Sequence, residues 1–188
     1  MCETLCGLNY KIIGTENIPS EKGVVFIKHS SVYELFVGLL LFSPSSWVAK
    51  QELTYLPLFR NAIKVFNFIP VKRGFGRSQV TRVIREGTER LSEGKWIVIF
   101  PEGTRVVHGM TKKYGISGAL LAVGTKSDIT PIAHNAGKYW GRRALLKKKG
   151  TIVFSVGNKI STVGKTYDEV NHEAKVWIDG EVKRLDGL

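Results

Sequence analysis

At 188 residues the chain has the length of one domain with a buried core, and its 43% hydrophobic content excludes a disordered tail. Its 28 basic and 16 acidic residues give a net charge of +12, which favours an anionic partner: a phosphorylated substrate, an anionic membrane, nucleic acid or an acidic protein. The two cysteines, Cys2 and Cys6, make neither a metal-ligand pattern nor a disulfide framework, and they fit a reducing compartment.

In chain order, Met1 to Tyr10 has neither the basic start nor the apolar core of a signal peptide. Gly23–Lys28 reads as a strand and Val32–Phe42 as a helix. The longest apolar run, from Leu35 to Phe42, is too short to span a bilayer, which takes about 20 residues. Ser46–Lys50 is a short strand. A helix is predicted over Pro57–Phe66, with Pro57 in its first turn. Phe68–Val71 is another short strand. Arg77–Glu93 is an amphipathic helix that turns Val80, Val83, Ile84, Thr88 and Leu91 inward, and Gly94 stops it. Lys95–Phe100 reads as an apolar, central strand. Ser117–Lys126 is a helix of small residues suited to close packing on a sheet. Ile129–His134 and Thr151–Val156 are strands, and Pro131 inside the first predicts an edge position or a bulge. Tyr167–Leu185 closes the chain as a helix with Val170, Ala174, Trp177, Ile178, Val182 and Leu185 on its apolar face. Strands alternating with helices predict a single α/β domain, a mostly parallel central sheet flanked by helices. Ligands of such sheets bind beyond the carboxyl ends of the strands.

Two segments at strand ends carry chemistry. His29 follows the first strand, and Glu34 lies five residues on. A neutral imidazole, with a reference pKa of about 6.5, accepts a proton from a hydroxyl near pH 7, and a carboxylate orients the ring. On one helix, residues five apart lie about 140° apart, so His29 has to precede the helix and fold back. Ser31-Val32-Tyr33-Glu34 also fits a capping box, which gives Glu34 a compatible structural reading. In Phe100-Pro101-Glu102-Gly103-Thr104-Arg105, proline ends the strand, glycine permits close backbone approach, and Arg105 offers a planar fork of donors for phosphate. Glu102 is available to a substrate hydroxyl or to the arginine. Lys72-Arg73-Gly74 repeats the logic, with Arg73 as a second phosphate contact and Lys72 as a further candidate.

These blocks, together with the strand centred on Pro131, closely resemble the glycerophospholipid acyltransferase family, the group of 1-acyl-glycerol-3-phosphate acyltransferases. The family's first motif is histidine, four residues and aspartate; here it is His29 to Glu34, one methylene longer. Its second is an apolar strand ending in arginine, here Phe68 to Arg73, and its third, Phe-Pro-Glu-Gly-Thr-Arg, is intact at 100–105. Lys113-Tyr114-Gly115 resembles the segment that follows. The likeness runs from about Ile13 to the end, so one acyltransferase domain is expected over 1–188. Many members carry an apolar membrane segment before the first motif, so residues 1–12 are expected to be a remnant of such a segment or a connection to it.

The resemblance implies transfer of an acyl group from acyl-CoA or acyl-carrier protein to the sn-2 hydroxyl of lysophosphatidic acid, giving phosphatidic acid. His29 would be the base and Glu34 its partner. Arg73, Glu102, Gly103, Thr104 and Arg105 would hold the phosphate, Lys72 and Lys113 would be further contacts, and Pro131 would shape the donor pocket. No cofactor and no metal are implied. Leu35, Phe36, Leu39, Leu40 and Phe42 are candidates for an acyl trough, although ordinary core explains most of them. Lys138, Arg142, Arg143, Lys147, Lys148 and Lys149, interleaved with Tyr139, Trp140, Leu145 and Leu146, suit docking on an anionic membrane. The expected location is therefore peripheral, on the cytoplasmic face of a membrane. One alternative keeps the fold but takes another lysophospholipid or a lipid A precursor as acceptor. The other is a non-catalytic basic module for lipid or nucleic acid; it leaves His29 and the 100–105 run unexplained, and no zinc-ligand or RNP-like motif supports nucleic acid.

Overall fold

Side chains alternate across each strand, and this alternation sets the layers of the fold. In β2 (Val24–Ile27), Val24 and Phe26 enter one apolar layer and Val25 and Ile27 the other; in β5 (Trp96–Ile99), Ile97 and Ile99 oppose Trp96 and Val98 in the same way. Both strands are buried on both faces, as parallel strands covered by helices must be. The structure, a computed structural model, describes residues 7–55, 66–72 and 76–187. Of the predicted elements, all but the last residue of the helix over 57–66 lies outside that range, and so does Arg73.

Among the described residues seven strands make one sheet. The others are β1 (Leu8–Ile13), β3 (Ser45–Lys50), β4 (Ile69–Val71), β6 (Ile129–His134) and β7 (Gly150–Val156), in the order β1-β7-β6-β2-β5-β3-β4. Every pairing is parallel except β6 with β7. One face of the sheet is covered by α2 (Gly76–Ser92), α3 (Ser117–Thr125) and α5 (Tyr167–Asp186). The other carries α1 (Tyr33–Leu41) and the single turn α4 (Ala136–Tyr139). The expected α/β domain with a mostly parallel sheet is thus the observed one.

Three details stand out. Leu8–Ile13, most of which falls in residues 1–12, is an edge strand paired in register with β7. Of the two expectations for Pro131, an edge or a bulge, the bulge is the observed one: the residue lies in an internal strand, between β2 and β7. The sheet tolerates it because its missing N–H falls where the β7 ladder is interrupted. Ile129 pairs with Ile160 and Ile132 with Val156, so an extra residue is accommodated on the β7 side, and the Pro131 carbonyl accepts from Gly157 N–H at 2.9 Å. In α2, Thr88 is exposed and donates to the Ile84 carbonyl at 2.7 Å, while Gly87 meets the core. A Cβ on Gly87 would stand 2.5 Å from Leu121 Cδ2, so the absent side chain is what lets α2 approach α3.

Candidate active site

β5, β2 and β6 are adjacent and parallel, so their carboxyl ends open side by side. The segments that follow them carry Phe100–Arg105, Lys28–Glu34 and Asn135–Tyr139. His29 lies in the loop before α1, as its distance from Glu34 requires. Its Nδ1 meets Glu34 Oε1 at 2.5 Å. With Glu34 ionised, Nδ1–H is the donor and Nε2 is the bare nitrogen. Among the described residues no hydrogen bond engages Nε2. The ring stacks on Phe100, with centroids 4.0 Å apart and planes at 17°, so apolar packing fixes its tilt.

Glu34 also keeps half of the predicted capping box. Its Oε2 accepts from Ser31 N–H at 2.7 Å, whereas Ser31 Oγ accepts from Tyr33 N–H at 3.2 Å and not from Glu34. The orienting and capping roles therefore coexist on two oxygens. Burial pushes the Glu34 carboxyl up, but the N–H groups of His134 and His29 that face it outweigh this and hold the group below its ordinary value. His134, which the sequence offers only as the close of a core strand, is the missed neighbour: its Nε2 lies 3.3 Å from Glu34 Oε2.

Glu102 does something other than face substrate. It is buried, its Oε1 is ion-paired with the buried Lys28 ammonium, and its Oε2 accepts from His29 N–H at 2.7 Å. Both oxygens are engaged, and Glu102 does not line the cavity described next. It ties the 100–105 turn to the backbone of His29. Lys28 also donates to the Met110 carbonyl at 3.2 Å, and Val106 N–H donates to the His29 carbonyl at 2.7 Å. Lys28 was no candidate from sequence, where a lysine before a histidine reads as a solvated charge.

His29 opens on a cavity of about 690 Å³. One wall is apolar and comes from β3, β4 and α2, with Trp47, Val48, Phe68, Val71, Val80 and Val83 among its residues. Of the predicted trough only Leu35 takes part; Phe42 is core, and Phe36 and Leu40 are exposed. The other wall carries Gly103, Thr104, Arg105, Arg142 and Arg143, with Lys72 nearby on the β4 side. Among the described residues no carboxylate pairs with Arg105, Arg142 or Arg143, and Arg142 donates to the Arg105 carbonyl at 3.5 Å. Lys113 is exposed and Pro131 buried, and neither reaches the cavity. Arg142 and Arg143, expected only to dock a membrane, do.

A histidine paired with a carboxylate thus stands at the strand ends of an α/β sheet, between an apolar and a cationic wall. The chain belongs to the acyltransferase family: the Acyltransferase family model matches residues 9–135. It is similar to the 1-acyl-sn-glycerol-3-phosphate acyltransferase of Pseudomonas aeruginosa, 35% identical over 100% of this chain and 74% of that one. The enzyme of the same name from Bacillus subtilis is 30% identical over 80% of this chain and 73% of the relative. Among solved structures, the 1-acyl-sn-glycerophosphate acyltransferase PlsC from Thermotoga maritima superposes with a TM-score of 0.82 over 98% of this chain and 75% of its own; at 19% identity this likeness speaks for the fold.

Proposed function

We propose that the protein transfers a fatty acyl group from a thioester, acyl-CoA or acyl-carrier protein, to the sn-2 hydroxyl of 1-acyl-glycerol-3-phosphate. The observation that carries this reading is the His29–Glu34 pair opening on a cavity with one apolar and one cationic wall. His29 Nε2 takes the hydroxyl proton as the oxygen attacks the thioester carbonyl. The tetrahedral adduct collapses, the carbon–sulfur bond breaks, and the thiolate recovers the proton from the imidazolium. Products are phosphatidic acid and a free thiol, and no acyl-enzyme intervenes. Glu34 stabilises the imidazolium. Arg105 is assigned to the phosphate, and so is Arg73, which lies outside the described residues; Arg142 and Arg143 extend the cationic wall beside Arg105, and Gly103 and Thr104 line the same wall.

A positioned base supplies about 10²–10⁴ in rate. His29→Ala should therefore lower kcat by that order with KM for lysophosphatidic acid and thermal midpoint little changed. Turnover near wild type would remove His29 from the mechanism. Parallel assays with acyl-CoA and acyl-carrier protein identify the donor.

The segment from Lys138 to Lys149 supports peripheral docking on the cytoplasmic, anionic face of a membrane. Leu145 and Leu146 are 90% and 87% exposed amid basic side chains, and Lys147 Nζ sits 4.7 Å from the Trp140 ring centre. Exposed leucines flanked by lysines suit an interface of acyl chains and anionic headgroups. Among the described residues no helix is long and apolar enough to cross a membrane.

A further inference from the structure

The carboxylate behind the base has a second histidine, and the geometry of that histidine leaves it one protonation state. His134 closes β6 and is fully buried. Its Nδ1 is 3.2 Å from Ala136 N–H, a group that can only donate, so Nδ1 is an acceptor and carries no hydrogen. Its Nε2 faces two acceptors, the Lys28 carbonyl at 2.7 Å and Glu34 Oε2 at 3.3 Å. Nε2 therefore bears the hydrogen of a neutral ring. The ring is also held against Phe154, with centroids 4.9 Å apart.

We propose that His134 is a positioning residue for the acyl transfer: its Nε2–H bonds the Lys28 carbonyl and lies 3.3 Å from the far oxygen of Glu34, and so fixes where the near oxygen meets His29. The inference rests on the reading of His29 as the base. It also gives the longer side chain at position 34 a use. Glu34 spans His29 Nδ1 on one oxygen and both Ser31 N–H and His134 on the other, a reach that an aspartate, one methylene shorter, cannot match from the same backbone. The ionisable side chains in contact with Glu34 are His29 from the β2–α1 loop and His134 from β6; Lys28 turns its ammonium away to Glu102. His134 does not line the cavity, so its effect has to pass through its neighbours.

The sign of its effect on pH dependence follows. Between them His29 and Glu34 bind one proton as pH falls. The N–H from His134 stabilises the carboxylate most in the deprotonated pair, where no positive charge on His29 and no proton on Glu34 offsets its charge. Removing that donor raises the apparent pKa of the pair, whichever member carries the proton.

The test uses His134→Phe, His134→Gln, Glu34→Asp and the combination of His134→Phe with Glu34→Asp, assayed with lysophosphatidic acid and an acyl thioester. His134→Phe should lower kcat about tenfold or more, the order seen when the partner behind a functional histidine is lost, with KM unchanged and the acid limb of kcat/KM moved to higher pH. His134→Gln, which keeps an N–H donor, should recover most of that loss. In the Glu34→Asp background His134→Phe should cost less than about twofold, because the shorter carboxylate no longer meets it. Equal losses in both backgrounds, or an unshifted acid limb, would overturn the proposal. Should His134→Phe fail to fold, ¹⁵N-histidine spectra of the wild-type protein decide: His134 is expected to stay a neutral Nε2–H tautomer across the active pH range, and a His134 that titrates with activity refutes it. Failure of the base itself is distinguishable, since His29→Ala would then be active whatever His134 does.

Discussion

Glu34 serves His29, Ser31 and His134 with two oxygens, so its charge and its shape can be separated by substitution. Glu34→Gln keeps an oxygen for the Ser31 N–H but removes the negative charge, and kcat should fall while α1 persists in circular dichroism. Its acid stability gives the sign of the linkage. The wild-type carboxyl lies below its ordinary value of 4.5, so its contribution to stability is complete above that pH and is lost as pH falls through the folded-state value. The difference in thermal midpoint between wild type and Glu34→Gln should therefore be constant near neutrality and shrink below about pH 4.5. Lys28 and Glu102 form a buried ion pair, for which removing one partner typically costs about 3–5 kcal/mol. Lys28→Met should lower stability by that order in urea titrations, and adding Glu102→Gln should restore part of it, since the amide oxygen still accepts from His29 N–H. These residues also mark what the sequence conceals. The pairing of His29 with Glu34 and the place of Arg105 on the cavity could be found from type and position, because the ligand side of a parallel sheet lies where its strands end. Lys28 and His134 could not, because a contact across 74 residues or 106 residues leaves no local pattern.

At the scale of elements, period and punctuation were legible and the neighbours of each element were not. Gly94 ends α2 with a left-handed φ of 73°, and its N–H meets the Leu91 carbonyl at 2.9 Å, as a helix-stopping glycine should. α5 buries Val170, Ala174, Ile178, Val182 and Leu185 as its periodicity requires, and Thr166 with Glu169 caps it reciprocally. The apolar wall eluded sequence reading because β3, β4 and α2 build it jointly from ordinary core residue types. α3 allows a controlled experiment. A Cβ on Gly118 would lie 2.6 Å from Phe26 Cε1, whereas one on Gly124 meets nothing within 4 Å. Both gain up to about 1 kcal/mol of helix propensity as alanine, but overpacking costs about 1–3 kcal/mol. Gly124→Ala should thus raise the thermal midpoint and Gly118→Ala lower it; the same sign for both would show that the α3–β2 contact yields.

Over the whole molecule the excess charge of +12 is placed unevenly, with Lys138–Lys149 beside the cationic wall of the cavity. Replacing Lys147, Lys148 and Lys149 with glutamine should weaken sedimentation with vesicles containing phosphatidylserine by tenfold or more, since each lysine near such a surface is worth about 1 kcal/mol. The wild-type partition should fall as salt rises. Serine at Leu145 and Leu146 should weaken binding with less dependence on salt. Partition unchanged in both variants would refute docking through this segment.

The sheet order has one more consequence, for the order in which the enzyme comes into being. β2 leaves the ribosome before any other strand of the site, yet its two neighbours, β5 and β6, follow about 70 and 100 residues later. Until they arrive, β2 has both backbone edges unpaired and Lys28 has no counter-ion. A nascent chain released before His134 therefore presents a bare apolar strand, a template for self-association. The loop that carries His29 is made about 100 residues before the last strand that pairs with β2, so a chain cut short anywhere between β2 and His134 leaves at least one edge of that apolar strand bare.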